Sequence, residues 1–220
     1  MKTLIVIPAL NAVATLAALI EGVRSALPDA EILIIDDGST DGTASLAESL
    51  AVGCQRLGRN LGKGAALRQG FIRAVAQRYR RVLTLDADLQ HDPVELPGFL
   101  AAAVDSKTVV IGRRLRRRPM PWQRQLSNFL VSLVTSWAAG QKLPDAQCGY
   151  RLLPVSLLRQ IQLSANHYEL EMELLIKAGR AGYRISSVPI QTIYSSSKSS
   201  IRPFLDTIRF LLLLVRSLFW

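Results

Sequence analysis

The chain is short of cysteine, histidine and aromatic side chains, and each shortage excludes a class of protein. Its two cysteines, Cys54 and Cys148, lack metal-type spacing and are too few for a disulfide framework, so a reducing, cytosolic compartment is expected. Two histidines, His91 and His167, leave little material for a histidine-centred nucleophilic triad. Aromatics are 6% of the chain and no nucleic-acid module is recognisable, so no nucleic-acid partner is expected. Internal repeats and low-complexity linkers are absent. The N-terminal apolar run, residues 4–7, has no cleavage-site pattern and reads as a first strand. The C-terminal stretch from Pro203 to Trp220 is apolar, yet it carries three charges and is shorter than the roughly 20 residues that span a bilayer.

What is abundant is positive charge. Lys and Arg number 27 against 17 Asp and Glu, a formal net charge of +10. Such a balance suits an anionic partner, here a phosphorylated substrate or an acidic membrane surface. At 220 residues the chain is read as one domain with a substantial core. Apolar strand-like runs at 4–7, 31–35, 81–85 and 108–111 alternate with helix-like stretches at 12–26, 41–51, 64–80 and 93–104. This predicts an α/β fold with a mostly parallel sheet. The second half is read as a basic loop at 113–124, a helix at about 125–139, a strand at 149–153, a helix at 167–181, a strand near 184–191 and a Ser-rich loop at 195–200. A final amphipathic helix sets Arg202, Asp206, Arg209, Arg216 and Ser217 against Phe204, Ile208, Leu211, Leu212, Val215, Leu218 and Phe219. It is expected to lie in a membrane interface, with packing on the domain or a partner chain as the other reading.

Three motifs carry chemistry. In Val82–Pro93 an apolar run ends in Asp86 and Asp88, two residues apart, which strand alternation would point to one side. Two hard carboxylates at the carboxyl edge of a sheet suit Mg²⁺ or Mn²⁺, whose shell substrate phosphates commonly complete. Asp36 and Asp37 close the second strand, where a carboxylate can accept from a ribose hydroxyl or a nucleobase N–H. The following Ser39–Asp41 offers turn and helix-cap chemistry. Asn60-Leu61-Gly62-Lys63-Gly64 opens a helix and could turn main-chain N–H groups and the Lys63 cation toward phosphate, or serve as a plain helix entry. It lacks the Walker A spacing.

These motifs, with Pro8-Ala9-Leu10-Asn11 before them and Gln147-Cys148-Gly149-Tyr150-Arg151-Leu152 and Val188-Pro189-Ile190 after them, stand in an order and at spacings that resemble family-2 inverting glycosyltransferases. The branch they resemble is the polyprenyl-phosphate one, similar to dolichyl-phosphate mannose synthases. The resemblance implies a GT-A fold: a nucleotide-sugar-binding half over 1–112, an acceptor-side half over 113–200, then the helix over 201–220. It implies that Pro8 and Asp37, with Leu10 and Asn11 in the same motif, line the nucleoside pocket. Asp86 would lie near ribose and metal, and Asp88 and Gln90 would bind the cation. Arg113, Arg124 and Ser127 would face the sugar-phosphate or acceptor phosphate, with Arg151 as a further anion-binding candidate. Two departures stand out: Ala12 follows Asn11 where many relatives have Glu, and Ser200 stands where some bacterial relatives have His, although Lys198 still offers a cation there.

The reaction implied is metal-dependent transfer from a nucleotide-sugar of the GDP-mannose or UDP-glucose class to a lipid-linked phosphate at the cytoplasmic face of a membrane, by a peripheral protein. An alcohol acceptor would need a carboxylate base, with Asp145, Glu169, Glu171 and Glu173 as candidates. A nucleotidyltransferase would want a glycine-rich, arginine-bearing loop after the first strand, which is missing. A non-catalytic nucleotide-sugar binder would not need Asp86, Asp88 and Gln90. His91 is read as a cap or surface residue rather than part of the metal's surroundings.

Overall fold

The computed structural model describes residues 2–115, 122–191, 193 and 203–220, and for 122–126 and 203–204 the helical backbone alone. Arg116, Arg117, Arg118, Lys198, Ser200, Arg202 and the side chains of Arg124 and Phe204 lie outside the described residues. The strands are β1 (Thr3–Ala9), β2 (Glu31–Asp36), β3 (Gly53–Arg56), β4 (Arg81–Thr84), β5 (Thr108–Leu115), β6 (Arg151–Pro154) and β7 (Arg184–Gln191). The helices are α1 (Val13–Ala26), α2 (Thr43–Ser49), α3 (Lys63–Ala76), α4 (Leu96–Ala102), α5 (Trp122–Ala139), α6 (Val155–Gln160), α7 (Glu169–Arg180) and α8 (Pro203–Ser217).

Among the described residues the strands form one sheet in the order β3-β2-β1-β4-β6-β5-β7. All run parallel except β6, which is inserted antiparallel between β4 and β5. The mostly parallel α/β reading therefore holds, with β6 as its exception. Helices cover both faces, which is why the central strands are apolar throughout rather than alternating. Leu4 and Val6 of β1 join Leu33, Ile35, Leu67, Phe71, Leu174 and Leu175 in one buried cluster. Ile5 and Ile7 join Leu16, Leu19, Ile20, Leu83 and Phe99 in the other. Strand β3 and helix α6 escape the sequence reading. Gly53-Cys54-Gln55-Arg56 has no apolar pattern and becomes a strand through its ladder with β2.

The topology places the site. From β1 the chain winds outward through β2 to β3, then α3 returns it to β4 on β1's other side. The crevice above the carboxyl ends of β1 and β4 is thus a switch point, where open α/β sheets bind ligands.

Helix α8 lies against α7, with Phe210 and Leu213 on Met172 and Val131 and Val134 of α5 alongside. Its C-terminal end is held by Arg180, which donates to the Ser217 carbonyl, and by Lys177, whose Nζ stands 4.1 Å from the Trp220 ring centroid. Arg180 also donates to Ala138 O, so the C-terminal ends of α5 and α8 are side by side. The apolar row expected from periodicity, Ile208, Leu211, Leu212, Val215, Leu218 and Phe219, is exposed, and α5 exposes Phe129, Leu130, Leu133 and Trp137. Among the described residues no helix is long and apolar enough to cross a membrane.

Candidate active site

At the end of β1 the backbone turns through Asn11 in the left-handed region, φ 52°. Helix α1 has no capping side chain of its own. Its first amides are satisfied from the β2–α2 loop instead: Asn11 N donates to Ser39 Oγ, Ala12 N to Thr43 Oγ1 and Val13 N to Asp41 Oδ2. Asn11 Oδ1 returns a bond by accepting from Thr40 N. The Ser39–Thr43 motif thus caps the neighbouring α1 at long range, which spacing alone does not reveal. Pro8 is half-buried in β1, and Leu10 and Asn11 are exposed beside this loop. An open cavity of about 460 Å³ adjoins it, lined by Gly38, Ser39, Thr40, Arg56, Leu57 and Gly58.

The β2 carboxylates are held tightly. Asp36 Oδ1 accepts from Ser39 N, and its Oδ2 lies 3.5 Å from Arg56 Nε. Asp37 accepts from Leu61 N at 2.7 Å and Gly62 N at 2.9 Å, while burial raises its pKa against those two bonds. Ala65 N donates to Asn166 O. The Leu61, Gly62 and Ala65 amides of the glycine-rich loop are therefore already used, and the loop is a joint between Asp37 and the 163–168 segment. Gly62 has φ 102°, and a Cβ there would stand 2.3 Å from His167 Nδ1, so the joint admits no larger residue.

Lys63, next in the chain, reaches the other carboxylate pair. Its Nζ lies 2.7 Å from Asp86 Oδ1 and 2.9 Å from Glu171 Oε1. Burial opposes its charge, but the two carboxylates outweigh this and raise its pKa. Burial likewise opposes ionisation of Asp86, and Lys63 outweighs it, holding that carboxyl below its usual value. Gly149 completes the enclosure, since a Cβ there would stand 2.7 Å from Asp86 Oδ2 and 2.9 Å from Lys63 Nζ. Arg151 is buried and donates to the carbonyls of Cys148, Glu171 and Ala146, with the Glu171 carboxylate 3.7 Å away. Its guanidinium fastens the sheet to α7, a structural task in place of the anion binding expected of it.

Strand β4 ends at Thr84, so Asp86 and Asp88 sit on the turn beyond it rather than in an alternating strand. Leu89, at φ 56°, folds that turn so that Gln90 N donates to Asp88 Oδ1. Burial and then the Asp86 charge raise the pKa of Asp88. Gln90 O accepts from Ile193 N just beyond β7. His91 is buried rather than at the surface. Its ring stacks on Tyr150, its Nε2 is 3.9 Å from Cys148 Sγ, and its Nδ1 has no hydrogen-bond partner. Burial, aided by Arg114 and Lys63, lowers its pKa despite Asp86 and Asp88.

The oxygen set of Asp86, Asp88 and Gln90 fits a hard divalent cation chemically. A cation would relieve the charge opposition between the carboxylates that raises Asp88. Among the described residues no group of three or more His, Cys, Asp and Glu stands ready to enclose a metal. Asp86, Asp88 and Gln90 would supply only part of such a cation's shell, leaving the rest to substrate or water oxygens.

The other candidates separate. Arg113 is exposed at the end of β5, beside Pro189 of β7. Ser127 is exposed on α5. Asp145 is gripped by its neighbour Arg114, with Nε to Oδ2 at 2.7 Å and Nη2 to Oδ1 at 2.8 Å. That pairing, absent from the sequence reading, removes Asp145 from the available bases. Glu171 serves Lys63 and Arg151. Glu173 is buried, accepting from Ser164 and Ala165 amides and pairing with Lys177. Only Glu169 retains a buried carboxylate oxygen without a partner among the four.

The family described as Glycosyl transferase family 2 matches residues 4–161. An undecaprenyl-phosphate mannosyltransferase of Micrococcus luteus is 31% identical over 201 residues, covering 86% of this chain and 83% of that protein. A polyprenol monophosphomannose synthase of Mycolicibacterium smegmatis is 31% identical over 202 residues, covering 86% and 76%. The glucosyl-3-phosphoglycerate synthase of Mycobacterium tuberculosis, solved with Mn²⁺, UDP and glucosyl-3-phosphoglycerate, superposes with a TM-score of 0.74 at 21% identity, covering 99% of this chain and 78% of that one. Its complex with phosphoglyceric acid gives 0.77 at 21% identity, covering 98% and 79%. The fold is thereby the GT-A one.

Proposed function

Because the chain belongs to glycosyl transferase family 2, we propose that it transfers a sugar from a nucleotide-sugar to a polyprenyl phosphate at a membrane surface, inverting the anomeric carbon. The observation that carries this reading is the half-buried Asp86–Gln90 turn at the switch point, with three of the four candidate bases committed elsewhere. A polyprenyl phosphate has a second pKa near about 6 and arrives largely ionised, so it needs no strong base. The mannosyltransferase and mannose synthase relatives, both named for such lipid phosphates, support the same acceptor.

In this reading Asp86, Asp88 and Gln90 hold Mg²⁺ or Mn²⁺. The bound cation supplies Lewis-acid stabilisation of the charge growing on the departing nucleoside diphosphate. Pro8, Leu10 and Asn11 border the nucleoside beside the cavity under Gly38–Thr40, and Asp37 keeps its floor rigid. Arg113, Arg124 and Ser127, with Lys198, orient the acceptor phosphate for in-line attack from the opposite face. A second reading, an alcohol acceptor, is favoured by one feature alone, the unpartnered oxygen of Glu169.

The bare apolar faces of α5 and α8 would rest in the interfacial layer of an anionic membrane, with the net charge of +10 drawing the protein there. Deleting 203–220 is expected to move the protein from the membrane fraction to the soluble one; a truncated protein that still pellets with membranes contradicts that role. The function itself is tested by Mn²⁺-dependent passage of labelled sugar from GDP-mannose or UDP-glucose into an organic-extractable polyprenyl-phosphate fraction. Acid-labile label in that fraction is expected. Label that resists mild acid points to the alcohol acceptor, and no label from either donor despite nucleotide binding refutes the reading.

A further inference from the structure

We infer that Lys63 is a built-in cation that occupies the metal's side of Asp86 until a nucleoside diphosphate arrives, so that metal and nucleotide enter together rather than metal first. The inference rests on the metal reading of Asp86 and Asp88. Its own ground is the geometry around Nζ: 2.7 Å to Asp86 Oδ1, 2.9 Å to Glu171 Oε1, and the Gly149 backbone pressed against both Nζ and Asp86 Oδ2. The lysine side chain is 16% exposed and that of Glu171 6%, so the pair is little screened by solvent.

An ammonium ion in contact with Asp86 repels a divalent cation approaching the same carboxylate. Without nucleotide, the free protein therefore offers a metal one carboxylate, Asp88, and a neighbour already neutralised. A nucleoside diphosphate changes the balance twice over. It brings oxygens to complete the cation's shell, and it gives Lys63 a second anion to face. The phosphate-directed role that the glycine-rich motif suggested for Lys63 and the carboxylate pairing in the structure are then two positions of one side chain. Glu171 keeps the amine in the site in either position, and Arg151 in turn holds Glu171.

The test is Mn²⁺ binding followed by the spin-resonance signal of the free ion, with no turnover involved. Wild-type protein is expected to bind Mn²⁺ weakly alone and at least about tenfold more tightly with GDP or UDP present. Lys63→Gln is expected to bind Mn²⁺ alone roughly tenfold more tightly than wild type, with the nucleotide's enhancement shrinking correspondingly. Because Lys63→Gln takes the shared cation from both Asp86 and Glu171, the double variant Lys63→Gln/Glu171→Gln is measured beside it. This variant exchanges an ion pair for two amides and removes Glu171 as a new ligand. The same gain in the double variant supports the inference. A double variant that binds Mn²⁺ no more tightly than wild type overturns it, even if the single variant gains, because the gain then came from the freed Glu171. Asp88→Asn separates the two levels: if it leaves nucleotide-dependent Mn²⁺ binding intact, the metal reading fails whatever Lys63 does.

Discussion

Two pairs of carboxylates end two strands on the same edge of the sheet, and the structure gives them opposite employment. Asp36 and Asp37 are 0% and 4% exposed and accept from main-chain amides of their own and a neighbouring loop. Asp86 and Asp88 stand on a turn beyond β4, one held by a lysine and the other, among the described residues, accepting from Gln90 N of its own turn. The first pair fixes its own loops, and the second is the half-buried pair proposed to take the cation. What separates them is the supply of main-chain donors. The β2 pair meets the loop entering α3, whereas, among the described residues, the β4 pair meets Lys63 and the Gln90 amide.

If that division is correct, substitutions should separate activity from stability. The largest effect is expected from Asp88→Asn, a loss of roughly 100-fold or more in kcat for sugar transfer. Its urea-denaturation stability should stay within about 0.5 kcal/mol of wild type, since burial and the Asp86 charge already oppose ionisation of Asp88. Asp37→Ala should do the reverse, costing about 2–4 kcal/mol in the same denaturation experiment by orphaning the Leu61 and Gly62 amides. A stable Asp37→Ala protein with abolished nucleotide binding would place Asp37 among the ligand contacts instead. Gly149→Ala joins the two kinds of effect: a methyl driven against Asp86 and Lys63 should cost about 1–3 kcal/mol and weaken Mn²⁺ binding as well. Smaller still, Thr43→Ala should lose about 1 kcal/mol by uncapping α1, with transfer kinetics little changed. Finally, burial pushes the Cys148 thiol up to about 12, so iodoacetamide at pH 8 should label Cys148 only after denaturation.

The local parts of this account are legible in the sequence. Continuous apolar runs and the helical stretches between them located most strands and helices, and helical spacing gives the apolar row of α8, though not which way it faces. Contacts made between distant residues are not legible. Strand β3 exists because β2 supplies its ladder. The turn carrying Asp86 and Asp88 owes its shape to a left-handed Leu89 that no residue preference announces. The glycine-rich loop resembles a phosphate cradle until Asp37 and Asn166 are seen to take three of its amides. Asp145 resembles a base until Arg114 is found beside it. Lys63 finds Glu171 on α7, more than a hundred positions along the chain, and that pairing had no local signal. The roles proposed for Arg113, Arg124, Ser127 and Lys198 rest on resemblance, with Arg113 and Ser127 exposed on the acceptor-side half of the chain.

The central claim is that the Asp86–Gln90 turn takes a cation together with a nucleoside diphosphate. Calorimetric titration of GDP and UDP into wild type and Asp88→Asn, with Mn²⁺ and with chelator, tests it most directly. The account predicts that Mn²⁺ strengthens binding of at least one nucleotide to wild type by tenfold or more, about 1.4 kcal/mol, and that Asp88→Asn loses this enhancement while still binding nucleotide weakly. Equal affinity with Mn²⁺ and with chelator in the wild type, or an enhancement that survives in Asp88→Asn, would contradict it.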